Sequence, residues 1–141
     1  MLNENAKKWV AALRSGEYSQ GRNVLRWYDR ASDDDFFCCL GVACNISGLG
    51  LWSDLSEDEK KSYLEATTFL PPEVADWLNL KSDSGSFLAE SLPQTIKDEV
   101  FNHLQKDDII SLATLNDASC PFETIADIIE CEPAGLFNEE S

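Results

Sequence analysis

No arginine occurs after position 30, and the chain carries only 11 basic residues against 26 acidic ones. Lys and Arg contacts to phosphate supply most nonspecific DNA affinity, so direct binding to duplex nucleic acid is not expected. Cysteine is scarce and irregular: five residues, an odd number, with no C-x-x-C pair. That spacing fits neither a secreted disulfide framework nor a structural zinc site. His103 is the single histidine, which leaves few ways to build a Cys–His or Ser–His pair. No G-x-S-x-G, P-loop, G-x-G-x-x-G or H-E-x-x-H motif is present. The reading is of a protein that is no enzyme and holds no cofactor or metal. No apolar run approaches the ~20 residues that span a bilayer. The opening "MLNENAKKWV" lacks a signal-peptide core, so no membrane partner and a cytoplasmic location are expected.

What remains is a folding composition with an uneven charge. Hydrophobic residues make up 43% of 141, including four Trp and seven Phe, enough for a real core in one globular domain, 1–141. The formal net charge is −15. Residues 1–50 are balanced, with six acids and six bases, whereas residues 51–141 hold 20 acids against five Lys. High acidity by itself keeps a small protein soluble.

The order of elements reads as mostly α (α+β): a single helical domain with a small β-hairpin near its N-terminus. "NENAKKWVAALRSG" forms a first helix with Trp9, Val10 and Leu13 on one face, capped by Asn3 or Asn5 and stopped at Ser15-Gly16. "NVLRWYD" and "FFCC" read as the two strands of the hairpin, with "RASDDD" as its turn. "LGVACNISG" turns helical and ends at Gly48. "LSEDEKKSYLEA" carries a capping box, Ser56 with Glu59, and reads as a helix. Pro72 opens a short helix through Val74, Trp77 and Leu78. "LPQTIKDEVFNHLQ" and "DDIISLATLND" are two more amphipathic helices, the second with Asp107 or Asp108 near its start. The tail frays after Phe137.

"LNDASCPFETIADIIE" looks at first like the opening of a helix-turn-helix reader. A recognition helix with basic or amide side chains would have to follow, but "ECEPAGLFNEES" follows instead. Phe122, Ile125, Ile128 and Ile129 are therefore core packing, with Pro121 in the first turn and Ser119 or Cys120 as cap. "FFCCLGVAC" reads likewise as an apolar run in which Cys acts as a small hydrophobe. The "DDD" of Asp33 to Asp35 is a turn, without the ligand spacing of a calcium loop. Two candidate sites remain. Arg22, Arg26, Trp27 and Tyr28 interleave cations and aromatic rings on the hairpin, as a small anionic ligand would need. The simpler account pairs those Arg residues with the protein's own carboxylates. Asp54, Glu57, Asp58 and Glu59 concentrate negative charge, as docking on a basic partner would need.

Four blocks in order, "KKWVAALRSGEYSQGRNVLR", "FCCLGVACNISG", "LPPEVADWLNL" and "LATLNDASCPFETIADIIE", resemble a family of small proteins common in tailed bacteriophage genomes and some bacteria. The family pattern looks like W-x-x-A-L-R-S-G-x-Y-x-Q-G, C-C-L-G-V-x-C, L-P-x-E-V and L-N-D-x-G-x-x-F-x-x-I-A-D-x-I-E. This chain departs by Ser119 where glycine would stand, and by the insert "RWYDRASDDD". The resemblance implies a phage setting and supplies no reaction. With it, the expected role is a phage-encoded accessory protein in the host cytosol. It would bind and inhibit a host defence or nucleic-acid-handling protein that has a basic surface. The alternatives are a DNA mimic, or a nucleotide-signal binder or enzyme using the Arg/aromatic hairpin.

Overall fold

The computed structural model describes residues 2–54, 60–103 and 108–138. The chain opens with α1 (Glu4–Arg14). The Asn3 side chain accepts from the Ala6 backbone N–H at 2.8 Å, satisfying one orphan donor of the first turn. Gly16, at φ +76°, turns the chain away from the helix end. Trp9, Val10 and Leu13 are buried, and the Trp9 indole donates to the Cys39 carbonyl at 2.9 Å.

A five-stranded mixed sheet follows, which the expectation of a mostly helical domain with one hairpin missed. Its strands are β1 (Ser19–Gln20), β2 (Arg26–Asp29), β3 (Asp34–Phe37), β4 (Trp52–Asp54) and β5 (Lys60–Tyr63), in the order β1-β3-β2-β5-β4. β1 runs parallel to β3, and the other pairs are antiparallel. The segments expected to form a lone hairpin contribute β2 and β3 at the centre of this sheet, and Cys38 and Cys39 of the expected second strand lie outside β3. Only Asp33 of the "DDD" run sits in the turn, at φ +57°, while Asp34 and Asp35 belong to β3. β5 replaces the C-terminal part of a predicted helix, whose cap residues Ser56 and Glu59 lie outside the described residues. Pairing explains the change. Lys60 and Lys61 complete the ladder on β2, Lys61 to Tyr63 pair with β4, and the polar local propensity is overridden. Leu64 and Glu65, at φ +49° and +71°, then reverse the chain.

Between β3 and β4 lies α2 (Cys39–Ser47), closed by Gly48 at φ +67°. The remaining elements are α3 (Pro72–Leu78), β6 (Ser86–Leu88), a 3₁₀ turn (Ala89–Ser91), α4 (Gln94–His103), β7 (Ile109–Ser111), α5 (Leu112–Asp117) and α6 (Phe122–Glu130). β6 and β7 form a separate antiparallel ribbon. The predicted "DDIISLATLND" helix is thus half strand: Ser111 caps α5 by accepting from Thr114 N, and Ile109 to Ser111 pair with β6. With six α-helices and seven strands among the described residues, the fold is α+β.

A buried seam joins sheet to helices. Asn116 on α5 is 0% exposed, and its Oδ1 accepts from Cys39 N (3.1 Å) and from Gln20 Nε2 (3.0 Å). Its Nδ2 donates to the Gly21 carbonyl at 2.7 Å. Gln20 also donates to the Cys120 carbonyl and accepts from Phe122 N, so it caps α6 from the far end of the chain. Neither Ser119 nor Cys120 caps that helix by its side chain. At Gly41 a Cβ would fall 1.8 Å from the Leu25 carbonyl oxygen, so α2 can meet Leu25 only through glycine.

Candidate functional site

β2 sorts the predicted Arg/aromatic residues onto two faces, because successive side chains of a strand point to opposite sides. Arg26 and Tyr28 share one face, and Trp27 takes the other. The four residues Arg22, Arg26, Trp27 and Tyr28 therefore do not form one pocket. Arg26 makes a two-pronged bond to Asp35, Nε to Oδ1 at 3.1 Å and Nη2 to Oδ2 at 3.0 Å, and lies over the rings of Phe37 and Trp52. Lys61 approaches Asp35 at 3.6 Å and Asp54 at 3.8 Å. The Arg26 guanidinium, with Lys61 behind it, holds the Asp35 carboxyl below the usual carboxylate range despite partial desolvation. Tyr28 donates to Asp33 in the turn. This face is a cross-strand charge ladder in which Arg26 is already engaged.

The opposite face carries the stacked rings. Phe36, Trp27 and Lys60 stand in register across β3, β2 and β5. The Trp27 and Phe36 rings stack at 4.8 Å with 17° between planes. They line a cavity of about 960 Å³ together with Gly21, Arg22, Asn23 and Lys60. Arg22 donates to the neutral Ser119 hydroxyl at 3.2 Å, and Asn23 N–H is fixed by Asp117 Oδ1 at 2.8 Å. Sequence reasoning found Arg22 and Trp27 but missed Phe36 and Lys60. Phe36 follows from counting the hairpin register, whereas Lys60 reads as helical from its neighbours in sequence.

Of the acidic candidates, Asp54 is on β4 with its side chain 86% exposed. Glu57, Asp58 and Glu59 lie outside the described residues. A better-defined acidic feature occurs elsewhere. Glu90, Asp98 and Asp108 line a second cavity of about 690 Å³ with Lys97 and Phe101. Leu88 and Ile109, next in the chain to Ala89 and Asp108 of that lining, pair across β6 and β7. They are 44% and 60% exposed.

The thiols are poor nucleophiles. Burial pushes Cys38 up to about 11 and Cys120 up to about 12, and raises Cys39 and Cys44 as well. At neutral pH each is a protonated, apolar side chain. Cys131 is exposed, and partial desolvation with Asp127 and Glu130 nearby raises it too. No group of three or more His, Cys, Asp or Glu among the described residues is placed to hold a metal ion. None of the described helices is long and apolar enough to cross a membrane. α6 buries Phe122, Ile125, Ile128 and Ile129, and Arg14 of α1 pairs with its Asp127 and Glu130.

The described residues thus form an α+β protein with a cavity on the sheet lined by aromatic rings and cations and an acid-rich cavity beside the ribbon. The chain belongs to the family described as Domain of unknown function (DUF8296), whose model matches residues 1–133. Comparisons with curated proteins and with solved structures gave no match.

Proposed function

We propose that this is a phage-encoded accessory protein that acts by docking on a host protein with a basic surface. The supporting observation is the acid-lined cavity with the exposed Leu88–Ile109 pair at its border. Binding needs both parts: charge complementarity speeds encounter, and desolvated apolar anchors hold the complex. The surroundings favour the same kind of partner. Every described carboxylate from Glu65 to Glu132 is exposed, with Lys81 and Lys97 the described cations in that span. A phage setting comes from the sequence blocks alone.

The test is capture of host proteins by the immobilised chain, compared with two variants. Leu88→Ser with Ile109→Ser removes the anchors, and Glu90→Lys with Asp98→Lys reverses the charge. Both alter exposed positions, where substitutions shift stability by only about 0.5 kcal/mol. The anchor variant should weaken capture by roughly tenfold or more, mainly through faster dissociation. Charge reversal should slow association and flatten its dependence on salt. A partner held equally by wild type and both folded variants would overturn the reading.

A further inference from the structure

The cavity on the sheet has the reverse chemistry of the rest of the molecule. In a chain of net charge −15, its described lining includes Arg22 and Lys60 and no carboxylate. Its floor is the stacked Trp27–Phe36 pair, both residues half-buried. Gly21 lets its loop come close to that pair: a Cβ there would fall 2.9 Å from Phe36 Cβ and 3.0 Å from Trp27 Nε1. Lys60 stands directly across from Trp27, which continues the row Phe36–Trp27 into a cation. The loop that carries Arg22 is held by Asp117 on Asn23 N–H and by the Asn116 bond to the Gly21 carbonyl. The site is thus attached to the buried seam and not to a loose hairpin.

We propose that this cavity binds a free nucleotide, its base stacked on the Trp27–Phe36 ledge and its phosphate met by Arg22 and Lys60. An aromatic face accepts any base through its π-surface, and the two cations supply the attraction that a phosphate needs. About 960 Å³ is enough for such a ligand, at the upper end of ordinary small-molecule sites. A free nucleotide is favoured over a nucleic-acid strand because a strand would run its further phosphates past the exposed carboxylates of the body. The inference goes beyond the docking function and requires neither the acid-lined cavity nor a protein partner.

The experiment is calorimetric titration of the full chain with ATP, GTP, CTP and UTP, with adenosine and inorganic phosphate as separate arms. An oligonucleotide of a dozen deoxythymidines supplies a strand arm. At least one nucleotide should bind, more tightly than adenosine, phosphate or the oligonucleotide. Arg22→Gln and Trp27→Ala should each weaken it by roughly tenfold, as loss of a stacked base or a charge contact does elsewhere. Trp27→Phe keeps an aromatic floor and should retain most of the affinity; melting curves confirm that each variant is folded. Four results overturn the proposal: no heat with any nucleotide at millimolar concentration, phosphate binding as tightly as the nucleotide, tighter binding of the oligonucleotide, or undiminished affinity in folded Arg22→Gln and Trp27→Ala. Glu90→Lys with Asp98→Lys should leave nucleotide binding unchanged, so failure here and failure of the docking function are separable.

Discussion

On the sheet, Asp35 lies 3.0 Å from Arg26 and 3.6 Å from Lys61, whereas on the helical side every described carboxylate from Glu65 to Glu132 is exposed. The same residue types serve two purposes. Between β2, β3 and β5, opposite charges sit on facing strands and help to fix register. On the helices they face water, at little cost to stability, and several of them are bonded locally, Asp127 and Glu130 to Arg14 and Asp117 to Asn23 N–H. A net charge of −15 therefore describes the helical side much better than the sheet. The only cavity among those described that has cations and no carboxylate belongs to the sheet.

Asn116 is the place to break that comparison, since it ties the two regions together. Asn116→Ala removes an acceptor from Cys39 N–H and from the half-buried Gln20, and a donor from the Gly21 carbonyl, the first and last of these bonds being fully buried. Stranded buried polar groups cost about 1–3 kcal/mol each, so a loss of about 3 kcal/mol or more is expected. Urea unfolding should be followed by both tryptophan fluorescence and far-UV circular dichroism. If the seam couples sheet and helices, the two probes should separate in the variant and coincide in wild type. A loss below about 1 kcal/mol would mean that the amide is incidental.

A smaller effect comes from pH. The Asp35 carboxyl is held below its ordinary value in the folded protein, chiefly by Arg26. The unfolded state therefore takes up a proton more readily than the folded one as pH falls. The stability from this group is present above the ordinary carboxylate range, near 4, and is lost as pH drops through the depressed folded value. Arg26→Gln should lower stability at pH 7 by about 1 kcal/mol, because the pair is partly solvated. The difference from wild type should shrink towards pH 2–3, where protonation removes the pair in both. Parallel stability curves down to pH 2 would show that Arg26 acts through ring packing and not through charge.

The elements legible in the sequence are those whose signals are local. α1, α2, α3, α4 and α6 are announced by caps, prolines and apolar spacing, and β2–β3 by a turn between β-formers. The failures are β1, β4, β5, β6 and β7, strands of two to four residues whose identity depends on a pairing partner more than on their own local signal. Lys60 and Lys61 look helical in isolation, and only the free edge of β2 makes them a strand. The site failed in the same way. Strand alternation divides Arg26 and Tyr28 from Trp27, and register adds Phe36 and Lys60. The sequence blocks fared differently: Gln20-Gly21, Gly41 and Asn116 are contacts of the seam.

Ser119 is the mildest probe, and it tests the one block residue at which this chain departs from the pattern. α5 ends with Ser119 N donating to the Asn116 carbonyl and Cys120 N to the Leu115 carbonyl, both at 3.0 Å. These paired bonds close the helix only if the residue after its cap turns left-handed, and Ser119 does so at φ +70°. An L side chain there costs roughly 1–2 kcal/mol, which is why glycine usually takes the place. Ser119→Gly relieves that strain but gives the unfolded chain more freedom, which returns about half of the gain. It also removes the exposed hydroxyl that accepts from Arg22 at 3.2 Å, a bond in water's reach and worth little. The balance is a stabilisation of about 0.5 kcal/mol, or roughly 2 °C in Tm for a domain of this size. Because Arg22 keeps its charge, nucleotide affinity should not fall. A Tm lower than wild type would show that the Ser119 hydroxyl holds the Arg22 loop more firmly than the backbone strain opposes it, and would make Ser119 part of the sheet cavity.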